Sequence, residues 1–201
     1  MKPMKSTLKL NDKEMREILF DYYESQNKRL RFFEELCIGK SRADAILVCD
    51  DKIIGYEIKS DKDNLDRLEG QMKDYTRFCN ECYIVTGSMH VERILETVPE
   101  FYGIIKIYMD NDKNQHLEIV RESGKDPKES KKRKIKHQLS LLWRSEITRI
   151  AKANKVKPVS KKSKTKIAAM LAEQMDYDIL RKAVCEELME RDYSVYMNEE
   201  A

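Results

Sequence analysis

The chain has no apolar run near the roughly 20 residues that a membrane-spanning helix needs, so no membrane partner is expected. Met1-Lys-Pro-Met-Lys-Ser6 leads straight into polar sequence without the apolar core of a signal peptide. The expected compartment is therefore the cytoplasm. The five cysteines are an odd number with irregular spacing, which fits reduced thiols better than a disulfide framework. Cys79-Asn-Glu-Cys82 is an isolated CxxC. A zinc or iron–sulfur site would have to recruit Cys37 and Cys185, and the spacing gives that no support. His90, His116 and His137 show no ligand spacing and read as surface residues. No internal repeat is present.

What the sequence does have is charge. Of 201 residues, 37% are Asp, Glu, Lys or Arg, which marks a soluble chain long enough for one sizeable core and a smaller second unit. The net charge of +3 conceals an asymmetry. Residues 121–166 hold 17 Lys/Arg against 4 Asp/Glu, a net of +13, so the remainder is net −10. Such a segment is either a contact for a polyanion, nucleic acid first, or a solvated lysine-rich linker.

In chain order, Asn11 with Glu14 three residues on predicts a capped helix carrying Met15, Ile18, Leu19, Tyr22 and Tyr23, ending near Gln26. Leu30–Leu36 reads as a strand, followed by a turn at Ile38–Ser41. Ser60–Asp63 is a polar loop in which Asp61 and Asp63 read as a helix-cap cluster rather than metal ligands. Leu65, Leu68, Met72 and Tyr75 then mark a second helix. Cys82–Thr86 is a short strand; Val91, Ile94, Leu95 and Val98 a helical stripe stopped by Pro99; Gly103–Met109 and His116–Val120 two further strands. The order suits an α/β core, a mixed sheet flanked by helices, over residues 1–122. Residues 123–136 lack an apolar period and read as a basic linker. Residues 137–201 read as a small helical unit: Leu139–Ala153 as one amphipathic helix with Trp143 in its core face, a basic loop containing Pro158, then Thr165–Met175 and Tyr177–Arg191.

The informative stretch is Ser41-Arg-Ala-Asp-Ala-Ile-Leu-Val-Cys49 and Ile53-Ile-Gly-Tyr-Glu-Ile-Lys59. Two short Ile/Val-rich runs bounded by acidic turn residues predict a hairpin. With Asp50-Asp51 as the turn, Cys49 lies opposite Lys52, Asp44 opposite Glu57, and Arg42 opposite Lys59. Opposed side chains share a face, so two carboxylates and an ammonium gather at the open end. Both strands are otherwise apolar on both faces, as in the middle of a covered sheet. Charges there need a partner or a metal. Simple pairing of Asp44 and Glu57 with Arg42 and Lys59 is one reading. The other is chemical. Hard cations such as Mg²⁺ take carboxylate oxygens and keep waters, and they promote phosphodiester hydrolysis. Asp44, Glu57 and the Ile58 carbonyl could ligate such an ion. The Lys59 ammonium could hold the attacking water and offset phosphate charge.

Asp44 followed by Glu57-Ile-Lys59 on the next strand resembles the PD-(D/E)XK nuclease superfamily, and the inferred element order resembles its restriction-endonuclease-like core. Gln71-Met-Lys-Asp-Tyr75, on the helix after the ExK strand, is similar to the QxxxY motif that in such nucleases helps place DNA. Arg42-Ala-Asp44, Tyr56-Glu-Ile-Lys-Ser60, Val98-Pro99, Gly103-Ile104 and Leu141-Leu-Trp-Arg144 also look like bacterial proteins with this core and no established substrate, which extends the resemblance over most of the chain. Ala43 stands where the family name has proline, a position that varies widely. A second ExK, Glu129-Ser-Lys131, falls in the basic segment and is incidental. The resemblance implies a Mg²⁺- or Mn²⁺-dependent deoxyribonuclease. In it Asp44 and Glu57 bind metal and Lys59 assists the water. Glu35 supplies an extra acid (Glu14 is its rival), and Gln71, Tyr75 and Arg42 contact substrate. Lys131, Lys132, Arg133, Lys134, Lys161 and Lys162 are expected phosphate contacts. No helix with base-reading Arg or Asn stands out, so no sequence specificity is expected. Double-strand cutting would need two sites, hence a homodimer. The alternative is a catalytically silent protein that uses the same core as a scaffold for binding nucleic acid or a partner.

Overall fold

Asn11 caps α1 (Asp12–Glu24) as expected: its side chain accepts the Glu14 N–H at 3.0 Å, and the Glu14 carboxylate accepts the Asn11 N–H at 2.7 Å. Met15, Ile18 and Leu19 are buried. The computed structural model describes residues 9–26, 28–157 and 160–193. The N-terminal residues read above for a leader, and Pro158, lie outside them. Two compact units emerge, residues 1–47 with 53–129, and residues 48–52 with 130–201. None of the helices described is long and apolar enough to cross a membrane.

In the first unit, β1 (Leu30–Ile38), β2 (Ser41–Cys49) and β3 (Ile53–Lys59) are followed by α2 (Leu68–Phe78), β4 (Glu81–Thr86), α3 (Val91–Thr97), β5 (Gly103–Met109) and β6 (Gln115–Arg121). The strands form one six-stranded mixed sheet in sequence order. β3, β4 and β5 run parallel, with α2 and α3 as crossovers, and β6 returns antiparallel. The Cys49 N–H donates to the Lys52 carbonyl at 3.0 Å, the closure expected of an Asp50-Asp51 turn. Every residue of β3 is buried, so its Ile-rich run reads correctly as a central strand. Glu57 lies opposite Ile84 and Lys59 opposite Thr86 on β4.

Gly55 shows how closely α2 is pressed onto β3. A Cβ there would meet the Tyr75 ring at 2.3 Å and the Cys79 sulfur at 2.8 Å. Gly55→Ala is expected to destabilise the protein by about 1–3 kcal/mol through overpacking, read as a lowered urea midpoint. Gly39 sits at φ +63° in the β1–β2 turn, where a Cβ would lie 2.7 Å from Asp74 Oδ1. Asp74, on α2, accepts the Lys40 N–H at 3.1 Å and the Ser41 hydroxyl at 2.8 Å.

Two loop readings are corrected. α2 starts at Leu68, so Leu65 lies in the preceding turn. Asp63 does not cap the helix, because its carboxylate accepts the Ser60 N–H at 2.8 Å and the Ser60 hydroxyl at 2.7 Å. Asp61 instead accepts the Met89 N–H at 3.0 Å.

The second unit contains α4 (Lys131–Leu141), α5 (Arg144–Ala153), α6 (Lys164–Gln174) and α7 (Tyr177–Met189). The basic linker is therefore half helix. Ser130 caps α4, and Ile135 and Leu139, four apart, are buried despite the charge around them. The single helix expected over 139–153 is broken at Leu142–Trp143, where the Glu146 carboxylate reaches back to the Trp143 N–H at 2.5 Å and opens α5. Trp143 is half-buried rather than core. The Arg191 guanidinium lies over its ring, 4.4 Å from the centroid.

Candidate active site

The two carboxylates and the lysine do converge. Glu57 has no solvent exposure and Lys59 only 8%. The Lys59 ammonium donates to Glu57 Oε1 at 2.6 Å. Two residues apart on a strand, they share a face. Asp44 Oδ2 accepts the Ile58 N–H at 2.7 Å, which fixes its carboxylate beside the end of β3. Glu57 Oε2 is buried and has no hydrogen-bond partner. Burial, then the neighbouring Asp44 charge, push the Glu57 carboxyl up to about 7, with the Lys59 ammonium opposing them. Burial also raises Asp44, against the Ile58 N–H and Lys59.

A cavity of about 850 Å³ opens over this centre, lined by Asp12, Arg16, Glu35, Asp44, Lys59 and Gln71 among others. Gln71 is half-buried, and its Oε1 is another buried oxygen without a partner. Tyr75, expected to face substrate, is fully buried instead. Its hydroxyl accepts the Asp44 N–H at 3.0 Å and donates to the Tyr56 carbonyl at 2.9 Å. It positions Asp44 and cannot touch DNA. Glu35 lines the cavity at φ +53°, paired with Arg42 at 2.5 Å and Arg16 at 3.3 Å. Arg42 is thus drawn to Glu35. Glu14, the rival acid, is occupied in the α1 capping box.

Three contributors were not legible as such. Arg16 pairs with Glu34 at 2.7 Å, and its charge also acts on Asp44. Asp12 and Asp63 are bonded to one another beside Lys59. Burial and the Asp63 charge raise Asp12. Burial would raise Asp63 as well, but the Ser60 hydroxyl and N–H outweigh it and hold Asp63 low. The available signal was the four-residue spacing of Asp12 and Arg16, which puts both on one side of α1.

The expected phosphate contacts lie in the second unit. Lys132 is exposed. Lys131 pairs with Asp178 at 3.6 Å, and Arg133 also has a partner within the protein. Lys134 is only 4% exposed, which removes it as a surface contact: its stem packs on the buried side of α4 beside Ile135. Lys161 is exposed and Lys162 half-buried.

Asp44 and Glu57 carry oxygen donors, the type that hard cations take, but Asp44 lines the cavity whereas Glu57 is fully buried behind it. Only two carboxylates meet there. Among the described residues no group of three or more His, Cys, Asp or Glu is placed to hold a metal ion.

A family model described as bacteriophage P4 protein cII matches residues 5–199. No curated protein matches the sequence. Among solved structures, a protein of unknown function from Silicibacter pomeroyi is similar at 16% identity and a TM-score of 0.39, over 66% of this chain and 86% of that one. Pyrococcus furiosus SfsA, solved in complex with Ca²⁺, is similar at 15% identity and a TM-score of 0.36, over 57% and 63%.

Proposed function

The chain belongs to the bacteriophage P4 protein cII family, and we propose that it hydrolyses DNA phosphodiesters through a PD-(D/E)XK-like site at the end of β2 and β3. Glu57 carries this reading: a fully buried carboxylate with a lysine on one oxygen and, at the other, no hydrogen bond of good geometry, the Tyr75 hydroxyl standing near. A buried charged oxygen without a partner is costly to fold, and perturbed carboxylates of this kind gather at functional sites. Asp44, Glu57 and the Ile58 carbonyl would hold Mg²⁺ or Mn²⁺. When bound, such an ion activates water and offsets phosphate charge.

Lys59 brings its ammonium to the reacting phosphate and orients the nucleophile. Tyr75 and Arg16 keep Asp44 in place. Glu35 is the extra acid at the rim, and Gln71, which lines the cavity, meets substrate there. Exposed Lys132 and Lys161 meet phosphates without regard to sequence. Cutting both strands of a duplex would take two such sites, and so a homodimer.

The rival reading is a catalytically silent nucleic-acid-binding scaffold, favoured by the presence of only two carboxylates at the centre. Supercoiled plasmid and single-stranded DNA, each with Mg²⁺, Mn²⁺ or EDTA, separate the two. The wild type should cut only with metal, and Glu57→Gln and Lys59→Ala should each lose at least about a hundredfold. Equal residual cutting by all three proteins would expose a contaminant and remove the hydrolytic reading. Binding without cutting would establish the scaffold.

A further inference from the structure

The surface of α5 is charged almost entirely with one sign. Residues 144–166 hold nine Lys/Arg and a single acid, Glu146. That acid is turned inward, 1% exposed, against Arg191. Ile147, Ile150 and Ala151 bury the same side of the helix. On the outer side Arg144, Ser145, Arg149 and Lys152 are exposed and Thr148 is half-buried, and the five line an open concavity of about 600 Å³. Exposed Lys155 and Lys161 follow in the next loop. Beside that concavity Glu186, Glu187, Glu190 and Asp192 line a second cavity with Ser145 and Arg149, and Glu187 pairs with Arg149 at 2.5 Å, so the cationic side of the helix is the one carrying Arg144, Thr148 and Lys152.

We infer that the outer face of α5 binds duplex DNA, with the helix seated in the major groove. Arg144 and Lys152 are eight residues apart, about 12 Å along a helix that rises about 1.5 Å per residue. The major groove is about 12 Å wide. The helix with its side chains is about 10–12 Å across and fits that width, and the cations spaced along its length meet successive phosphates of the groove wall while Ser145 and Thr148 face the base edges. Those hydroxyls carry little sequence information. The Thr148 hydroxyl donates to the Arg144 carbonyl at 2.7 Å, Arg149 is held by Glu187 and one Arg144 nitrogen donates to the Lys162 carbonyl, so binding depends mainly on the backbone of the DNA, with Lys152 and the loop lysines contributing most.

The same face argues against other polyanions. A membrane surface would demand apolar side chains among the cations, and this side has none. Single strands are held by aromatic platforms, and the nearest aromatic, Trp143, is engaged by Arg191 and by the edge of Tyr193 at 5.2 Å. The inference stands independently of phosphodiester hydrolysis.

The test is fluorescence anisotropy of a labelled 20-base-pair duplex with the full chain in EDTA. Wild type is compared with the triple variant Lys152→Gln/Lys155→Gln/Lys161→Gln, with Lys113→Gln as control, across 50–500 mM salt. Each phosphate contact contributes about 0.9 to the slope of log affinity against log salt. The triple variant should lose close to three such contacts, and about a hundredfold in affinity near 0.15 M salt. The control should match wild type, and the measurement reads binding in EDTA, without metal or turnover, which keeps failure of this surface distinct from failure of the catalytic site. Wild-type affinity and slope in the triple variant would overturn the inference. Equal competition by a single strand, or preference for phosphatidylserine vesicles over the duplex, would overturn it too.

Discussion

Arg191→Met should unfold the helical unit more readily by about 3–5 kcal/mol, the usual consequence of removing one member of a buried ion pair. The Arg191 guanidinium bonds both oxygens of Glu146 at 2.7 Å and the Leu141 carbonyl at 2.9 Å, with side-chain exposures of 3% and 1% for the pair. Without it Glu146 keeps a buried charge and only the Trp143 N–H as a partner. Leu141 ends α4, Glu146 lies in the first turn of α5, and Arg191 follows α7, so one side chain ties three helices. The chain has one tryptophan, Trp143, directly under this guanidinium. Its fluorescence therefore reports urea unfolding at the point of interest. Adding Glu146→Gln to Arg191→Met removes the stranded charge and should recover a large part of the loss. An equal loss in single and double variants would show that the pair acts through shape alone.

The second large effect has the opposite sign. Glu57→Gln should stabilise the protein at pH 8 by about 3 kcal/mol while leaving it close to wild type near pH 4.5. Burial, reinforced by Asp44, lifts the native carboxyl to about 7 from an ordinary 4.5. Between those values the native state holds a proton that the unfolded chain has released. Wild-type stability therefore falls as pH rises through this window, and the loss is complete above about 7. Each unit of difference corresponds to about 1.4 kcal/mol. Gln never ionises, so the variant escapes this term. Chemical denaturation of both proteins at pH 5 and pH 8 measures it. A difference that does not change with pH would mean that Lys59, at 2.6 Å, keeps the carboxylate ionised throughout. If the site takes Mg²⁺, adding the ion at pH 8 should stabilise wild type and leave the variant unmoved.

The sheet and the hairpin could be read from sequence because short apolar runs bounded by Asp, Gly and Asn leave few alternatives. The convergence of Asp44, Glu57 and Lys59 follows from local register, since one turn joins the two strands that carry them. What was not legible depends on groups far apart in the chain. Arg16 and Asp12 join the site only when α1 packs on the sheet, and Asp12 then meets Asp63, which Ser60 already holds close to Lys59. Tyr75 falls on the apolar stripe of its helix and in the QxxxY pattern as well, and only the bare backbone of Gly55, which lets its ring sink onto β3, decides between core and substrate contact. The break at Trp143 is hidden by an uninterrupted helical period and depends on a reach-back from Glu146 to a residue without the usual polar cap. Lys131–Lys134 reads as a linker because charge masks Ile135 and Leu139, and only burial shows that Lys134 belongs to the inner side.

The hydrogen bond from Ile58 to Asp44 turns a backbone amide into a built-in sensor. The Ile58 N–H points at Asp44 Oδ2 from 2.7 Å, so its proton resonance depends on the charge that oxygen carries. Protonating Asp44, or sharing its electrons with a cation, weakens that bond and moves the resonance upfield. One cross-peak in a ¹⁵N-labelled sample thus follows the state of the carboxylate continuously, with no substrate and no turnover.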